Sequence, residues 1–151
     1  MIAVIQRINS ASVIADGNPA GSSKNGLFIL LGVKAGDTAD ISRKMADKIA
    51  KMRIFEDENG KMNLSVTDIG GSALVVSNFT LCAACRKGNR PDFFGAEKPD
   101  AANSLYEEFS ARMRENGIHT ENGVFGSDMT ITASLTGPVT IILDSEKDIS
   151  K

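Results

Sequence analysis

The chain has no tryptophan, one tyrosine, two cysteines, one histidine and four prolines in 151 residues. Two cysteines cannot staple a disulfide scaffold, and with His119 they are too few donors for most structural metal sites. A single histidine also leaves little material for imidazole-based acid–base chemistry. No apolar run exceeds the length of Leu27 to Leu31, which falls far short of the roughly 18 residues of a membrane span. Met1 to Arg7 lacks the basic-then-apolar order of a signal peptide. A large excess of one charge is missing too: the net charge of −2 excludes a body coated in positive charge for long nucleic acids, though not a local basic patch. These absences lead us to expect a cytoplasmic protein with no membrane partner, no metal and no cofactor.

What is present is ordinary for a globular domain: 42% hydrophobic and 24% charged residues. The length suits one domain, expected over residues 1–145 with a polar, fraying tail at 146–151. Ile2 to Ile8 and Ser12 to Ala15 read as two short strands joined by a turn, and Leu27 to Val33 as a continuously apolar, buried strand. Gly21 to Gly26 has the glycine spacing of a phosphate loop, but Leu27-Phe28 stands where Lys-Ser/Thr is needed, so it reads as a plain turn. Ile41, Met45, Ile49 and Met52 mark an amphipathic helix over 38–52, capped by Asp37 or Thr38. Leu74 to Leu81 reads as the next strand. Pro99 opens a second helix, with Ala102, Leu105, Tyr106, Phe109 and Met113 on one stripe and Asn116-Gly117 as its stop. Met129 to Ala133 and Val139 to Leu143 give two closing strands. This order does not alternate as a doubly wound fold would. It predicts an α/β domain: a mixed, largely antiparallel sheet system with two packed amphipathic helices.

Four segments carry candidate chemistry. Cys82 and Cys85 have dithiol spacing but follow a strand and lead into a basic loop, so two inert side chains are favoured over a redox pair. Ser77-Asn78-Phe79-Thr80-Leu81 ends an apolar strand in polar groups, and reads either as a hydrogen-bonded strand end or as a pocket wall. Gly137-Pro138-Val139-Thr140 reads as an ordinary turn or as a cis peptide aiming carbonyls outward. Arg86, Lys87 and Arg90, followed by Phe93-Phe94, form either a solvated basic loop or a grip for phosphates and an unpaired base. His119, just past a helix stop, reads as a surface residue.

Together these segments resemble the D-aminoacyl-tRNA deacylase (D-tyrosyl-tRNA deacylase) family. The resemblance includes Ala3-Val4-Ile5-Gln6-Arg7, Arg53 to Asp57, Gly60 to Ser65, Ser77 to Leu81, Arg86 to Gly88, Phe125 to Met129 and Gly137 to Thr140. It implies hydrolysis of the ester joining a D-amino acid to the 3′-terminal ribose of tRNA, by a homodimer with its active site at the interface. By that resemblance Ser77, Asn78, Phe79 and Thr80 are the catalytic segment. Gly137, Pro138, Val139 and Thr140 reach the partner's pocket, locked by Arg7, and the carbonyls of Gly137 and Pro138 receive the substrate's α-amino group while excluding an L side chain. Arg86, Lys87 and Arg90 meet the tRNA. Thr80 is then either the nucleophile or a support for an oxyanion site of main-chain N–H groups near Phe79 and Thr80; without an obvious base, the second is favoured, with water attacking. Asn78 stands where the family usually has glutamine, and Leu135 and Thr136 depart from its pattern before Gly-Pro. The competing readings are an RNA-end binding module without turnover and a dithiol oxidoreductase.

Overall fold

The computed structural model describes residues 1–86 and 88–149; Lys87, one of the three predicted tRNA-binding cations, lies outside them. The elements run β1 (Ile2–Ala15), β2 (Asn18–Ser23), β3 (Gly26–Gly32), α1 (Ala39–Ala50), β4 (Phe55–Glu56), β5 (Met62–Leu64), β6 (Ser72–Ser77), a 3₁₀ turn (Phe79–Cys82), α2 (Pro99–Glu115), β7 (His119–Asn122), β8 (Met129–Asp144) and α3 (Ser145–Asp148). The main sheet has the order β2-β1-β3-β6-β7, and β8 pairs along β1. β1 is antiparallel to β2, β3 and β8, whereas β3–β6 and β6–β7 are parallel. The mixed sheet and paired helices agree with the fold expected from the sequence.

β1 is one strand, not two. Register shifts between Gln6 and Ser10 bend it without ending it, because β8 pairs along its length, from Ile2↔Asp144 to Ala15↔Met129. The bend divides its side chains between two cores. Ala3 and Ile5 pack with Leu27, Ile29 and Leu31 under the helices. Ile8, Ala11 and Val13 pack with Phe28, Leu74 and Val76 in a smaller core. The expected turn at Gly21 to Gly26 narrows to Lys24-Asn25, because Gly21–Ser23 end β2, which pairs with β1 at Ala11↔Ser23 and Ala15↔Asn18, and Gly26 begins β3. Its closure is polar: the Ser22 N–H donates to the Glu121 carboxylate at 2.7 Å, and the Ser23 and Ser72 hydroxyls bond at 2.7 Å.

The helices form where the apolar spacing predicts them. Thr38 caps α1 by accepting from the Ile41 N–H, and Pro99 occupies the first turn of α2. Met45, Ile49, Phe109 and Met113 are fully buried, and full burial of each such side chain contributes roughly 1.5–3 kcal/mol. Ile41 and Met52, predicted on the stripe, lie at its edge and are half-buried. Two polar contacts fix the helix positions: Ser42 Oγ donates to the Leu105 carbonyl and Tyr106 Oη to the Val75 carbonyl, each at 2.8 Å. Asp47 receives both Nε and Nη2 of Arg112 at 2.7 and 2.9 Å, which holds its carboxyl below the usual carboxylate range.

The two closing strands expected at Met129 to Ala133 and Val139 to Leu143 are one, β8. His119 is the first residue of β7, parallel to β6, and its side chain is exposed beside Glu121, at the surface as expected. The tail begins with a helical turn, capped by Asp144 through the Glu146 N–H. Among the described residues no helix is long and apolar enough to cross a membrane.

Candidate functional site

β6 does not continue to Leu81. It ends at Ser77 because Asn78 caps a 3₁₀ turn: its Oδ1 accepts from the Thr80 N–H at 3.2 Å and from the Thr80 hydroxyl. The Asn78 N–H still donates to the Leu31 carbonyl at 2.8 Å, so the turn is hung from the end of β3. Gly32 permits this approach, since a Cβ there would lie 3.0 Å from both the Asn78 carbonyl oxygen and Leu81 Cβ. The shorter amide at position 78 thus has a definite job in this chain, as a cap.

Beside the turn opens a cavity of about 560 Å³, walled by Leu31, Val33, Ser77, Asn78, Phe79, Phe93, Ala96, Glu97, Pro99, Ala102, Phe125, Gly126, Ser127 and Met129. Its lining is mostly apolar, and Glu97 is its one ionisable side chain among the described residues. The N–H groups of Lys98 and Gly36 donate to that carboxylate at 2.8 and 3.1 Å and hold it below the usual range. Phe79 and Phe93 meet edge to face at the mouth, with centroids 5.1 Å apart. Sequence reasoning offered Phe93 only as part of a grip for an unpaired base and gave no site role to Ala96–Ala102 or to Phe125–Met129; the latter was visible only as a stretch of family resemblance.

The second predicted segment lies elsewhere. Gly137, Pro138, Val139 and Thr140 lie within β8, outside the lining of that cavity. Thr140 Oγ1 accepts from Gln6 Nε2 at 3.3 Å, and the Gly137–Pro138 peptide is cis. Gly137 has φ +122°, and a Cβ on it would come within 2.8 Å of Val139 and 3.3 Å of Arg7 Nη2; the position requires glycine. Arg7 is buried: Nη1 donates to the Ile54 carbonyl at 3.0 Å and Nη2 meets Glu56 Oε1 at 3.5 Å. Among the described residues, two buried side-chain polar atoms lack a partner, Arg7 Nε and Thr136 Oγ1. Both flank this segment. Along β8, Ile131, Leu135 and Ile142 are exposed.

Arg86 and Arg90 are exposed on a loop closed by the Ala84↔Asp92 bridge. Cys82 and Cys85 are free thiols. Burial pushes the Cys82 thiol up, opposite to the shift a dithiol nucleophile needs, and it donates to the Val33 carbonyl at 3.5 Å.

Comparison with known proteins follows the same lines. The family model described as D-Tyr-tRNA(Tyr) deacylase matches residues 4–144. A D-aminoacyl-tRNA deacylase of Thermus aquaticus is 50% identical over 147 residues, covering 97% of each chain. One from Anaeromyxobacter dehalogenans is 51% identical over 147 residues, covering 97% of this chain and 99% of its own. A solved structure named c-Myc DNA Unwinding Element Binding Protein superposes with a TM-score of 0.87 at 38% identity, covering 95% of this chain and 98% of that one. The chain therefore belongs to the D-aminoacyl-tRNA deacylases, a family of hydrolases.

Proposed function

We propose that the protein hydrolyses the ester between a D-amino acid and the 3′-terminal ribose of tRNA, as a homodimer whose site is completed across the interface. The full-length family match carries this reading. The geometry supports its details. The cavity beside the Ser77–Phe79 segment has the volume and apolar lining for an aminoacyl-adenosine end. Gly137 and Pro138 lie outside that cavity in a single chain, which favours delivery of their carbonyls to a partner's pocket. There a rigid main-chain wall accepts the α-amino group and rejects one enantiomer by shape. Exposed apolar residues on β8 and the two unpartnered atoms beside Gly137 favour a second copy on that face. Arg7, gripped by Ile54 and Glu56, holds the segment in place.

For the chemistry, water attacks the ester carbonyl, assisted by the substrate's own 2′-hydroxyl. Thr80 is a poor nucleophile here. Its hydroxyl proton is given to the Asn78 amide oxygen, which is not a base. The Thr80 N–H is likewise engaged by Asn78, so the oxyanion site narrows to the Phe79 N–H, the first amide of the 3₁₀ turn, which has no acceptor within the turn. An aminoacyl ester is reactive enough for such modest help. Arg86, Lys87 and Arg90 meet the phosphates of the tRNA end. Incubation with matched D- and L-aminoacyl-tRNA tests the reading: release of the D-amino acid alone is expected, and equal rates or no release defeats it.

A further inference from the structure

Three of the seven phenylalanines are exposed, two of them lining the cavity and the third next to one of these in the chain: Phe79 at 59%, Phe93 at 38% and Phe94 at 93%. Phe79 and Phe93 brace each other and line the cavity. Phe94 does neither. It stands outside the lining, on a backbone that is nonetheless fixed: its N–H donates to Asp92 Oδ1 at 3.3 Å, and Asp92 exchanges main-chain hydrogen bonds with Ala84 at 2.8 and 3.0 Å. An almost fully solvated ring on a pinned backbone, beside the loop that carries Arg86 and Arg90, presents a bare π-face next to positive charge. That combination suits an unpaired base with a phosphate on either side.

We infer that Phe94 is a stacking platform for the nucleotide immediately 5′ of the terminal adenosine of the tRNA. The inference rests on the deacylase reading and adds to it the path by which the strand leaves the cavity. With the terminal nucleoside inside, the preceding nucleotide is the first to emerge, and it emerges past the Phe79–Phe93 edge onto the segment that bears Phe94. Stacking tolerates any base, so the platform selects an unpaired 3′ end rather than a sequence.

The test pairs binding with turnover, using the full chain, an RNA hairpin with an unpaired 3′ end, D-aminoacyl-tRNA and the D-aminoacyl ester of adenosine alone. Phe94→Ala is expected to weaken hairpin binding about tenfold and to raise KM for D-aminoacyl-tRNA by a similar factor. Phe94→Trp restores both, and the loss is absent with the adenosine ester. Unchanged hairpin binding by Phe94→Ala overturns the inference. An equal loss on the adenosine ester also overturns it, because the ring would then be shaping the cavity. A change in sedimentation on substitution overturns it in favour of a contact between copies. If the unaltered chain cleaves neither ester, the deacylase reading fails, and the hairpin arm still decides the platform.

Discussion

The Asn78 turn and the Gly137 segment are built in opposite ways. The turn is finished within one chain: its cap is satisfied, its backbone is hung from β3, and its cavity is walled by its own helix and loops. The Gly137 segment stands on an exposed strand, next to two buried polar atoms with nothing to bond. Under the proposed dimer, the turn is the half of the site finished in one chain and the Gly137 segment the half left for a second copy, so damage to the two should have different signatures.

The largest effect should come from the open half. Leu135→Asp places a charge on the exposed stretch of β8, and it is expected to convert dimer to monomer by sedimentation and lower kcat/KM about a hundredfold. A fully active monomer would erase the contrast. Next, Arg7→Ala removes the buried guanidinium beside Gly137 and strands the Ile54 carbonyl. Loss of a charged hydrogen-bond donor predicts a drop in D-ester turnover of roughly tenfold to a hundredfold, with a rise in L-ester release measured alongside it. In the finished half, Asn78→Ala removes the cap and is expected to lower kcat about fivefold, on the scale of one N-cap interaction, with sedimentation unchanged. Thr80→Ala should stay within about threefold, since a hydroxyl without a base contributes little to attack; a dead but well-folded variant would revive the nucleophile.

The smallest effect is acid sensitivity of the helix pair behind the cavity. Asp47 is held below its ordinary range by Arg112, so its contribution is complete above the unfolded carboxylate value near ~3.9 and is lost as pH falls through the lower folded value. Between pH 6 and 3, Asp47→Asn should flatten the fall in Tm below about pH 4 and reduce Tm at neutral pH by no more than about 3 °C. Dimerisation should be untouched at neutral pH.

What could be foreseen without coordinates follows from where the information lies. The helices were legible because Met45, Ile49, Phe109 and Met113 repeat at the spacing of one buried face. β2 and β7 were not, because Asn18–Ser23 is small and polar and His119–Asn122 wholly polar; they are strands only through pairing with β1 and β6. Phe79 and Leu81, which resume the apolar character of Leu74–Val76, concealed the 3₁₀ turn that the Asn78 side chain caps. For the site, the motifs pointed to Ser77–Thr80 and Gly137–Thr140. Only the family resemblance implied that the second segment serves a partner's pocket, and nothing in the sequence indicated that the far wall of the cavity comes from Phe93–Ala102 and Phe125–Met129.

The long pairing of β1 with β8 bears on how the molecule is made. Ile2 must wait for Asp144, so as the chain leaves the ribosome an apolar strand keeps one ladder of N–H and C=O groups unsatisfied until Met129–Asp144 has emerged. The piece that seals this edge also carries Gly137 and Pro138. Nascent chains are therefore stickiest just before β8 arrives, and completion of the edge and delivery of Gly137 and Pro138 are the same event.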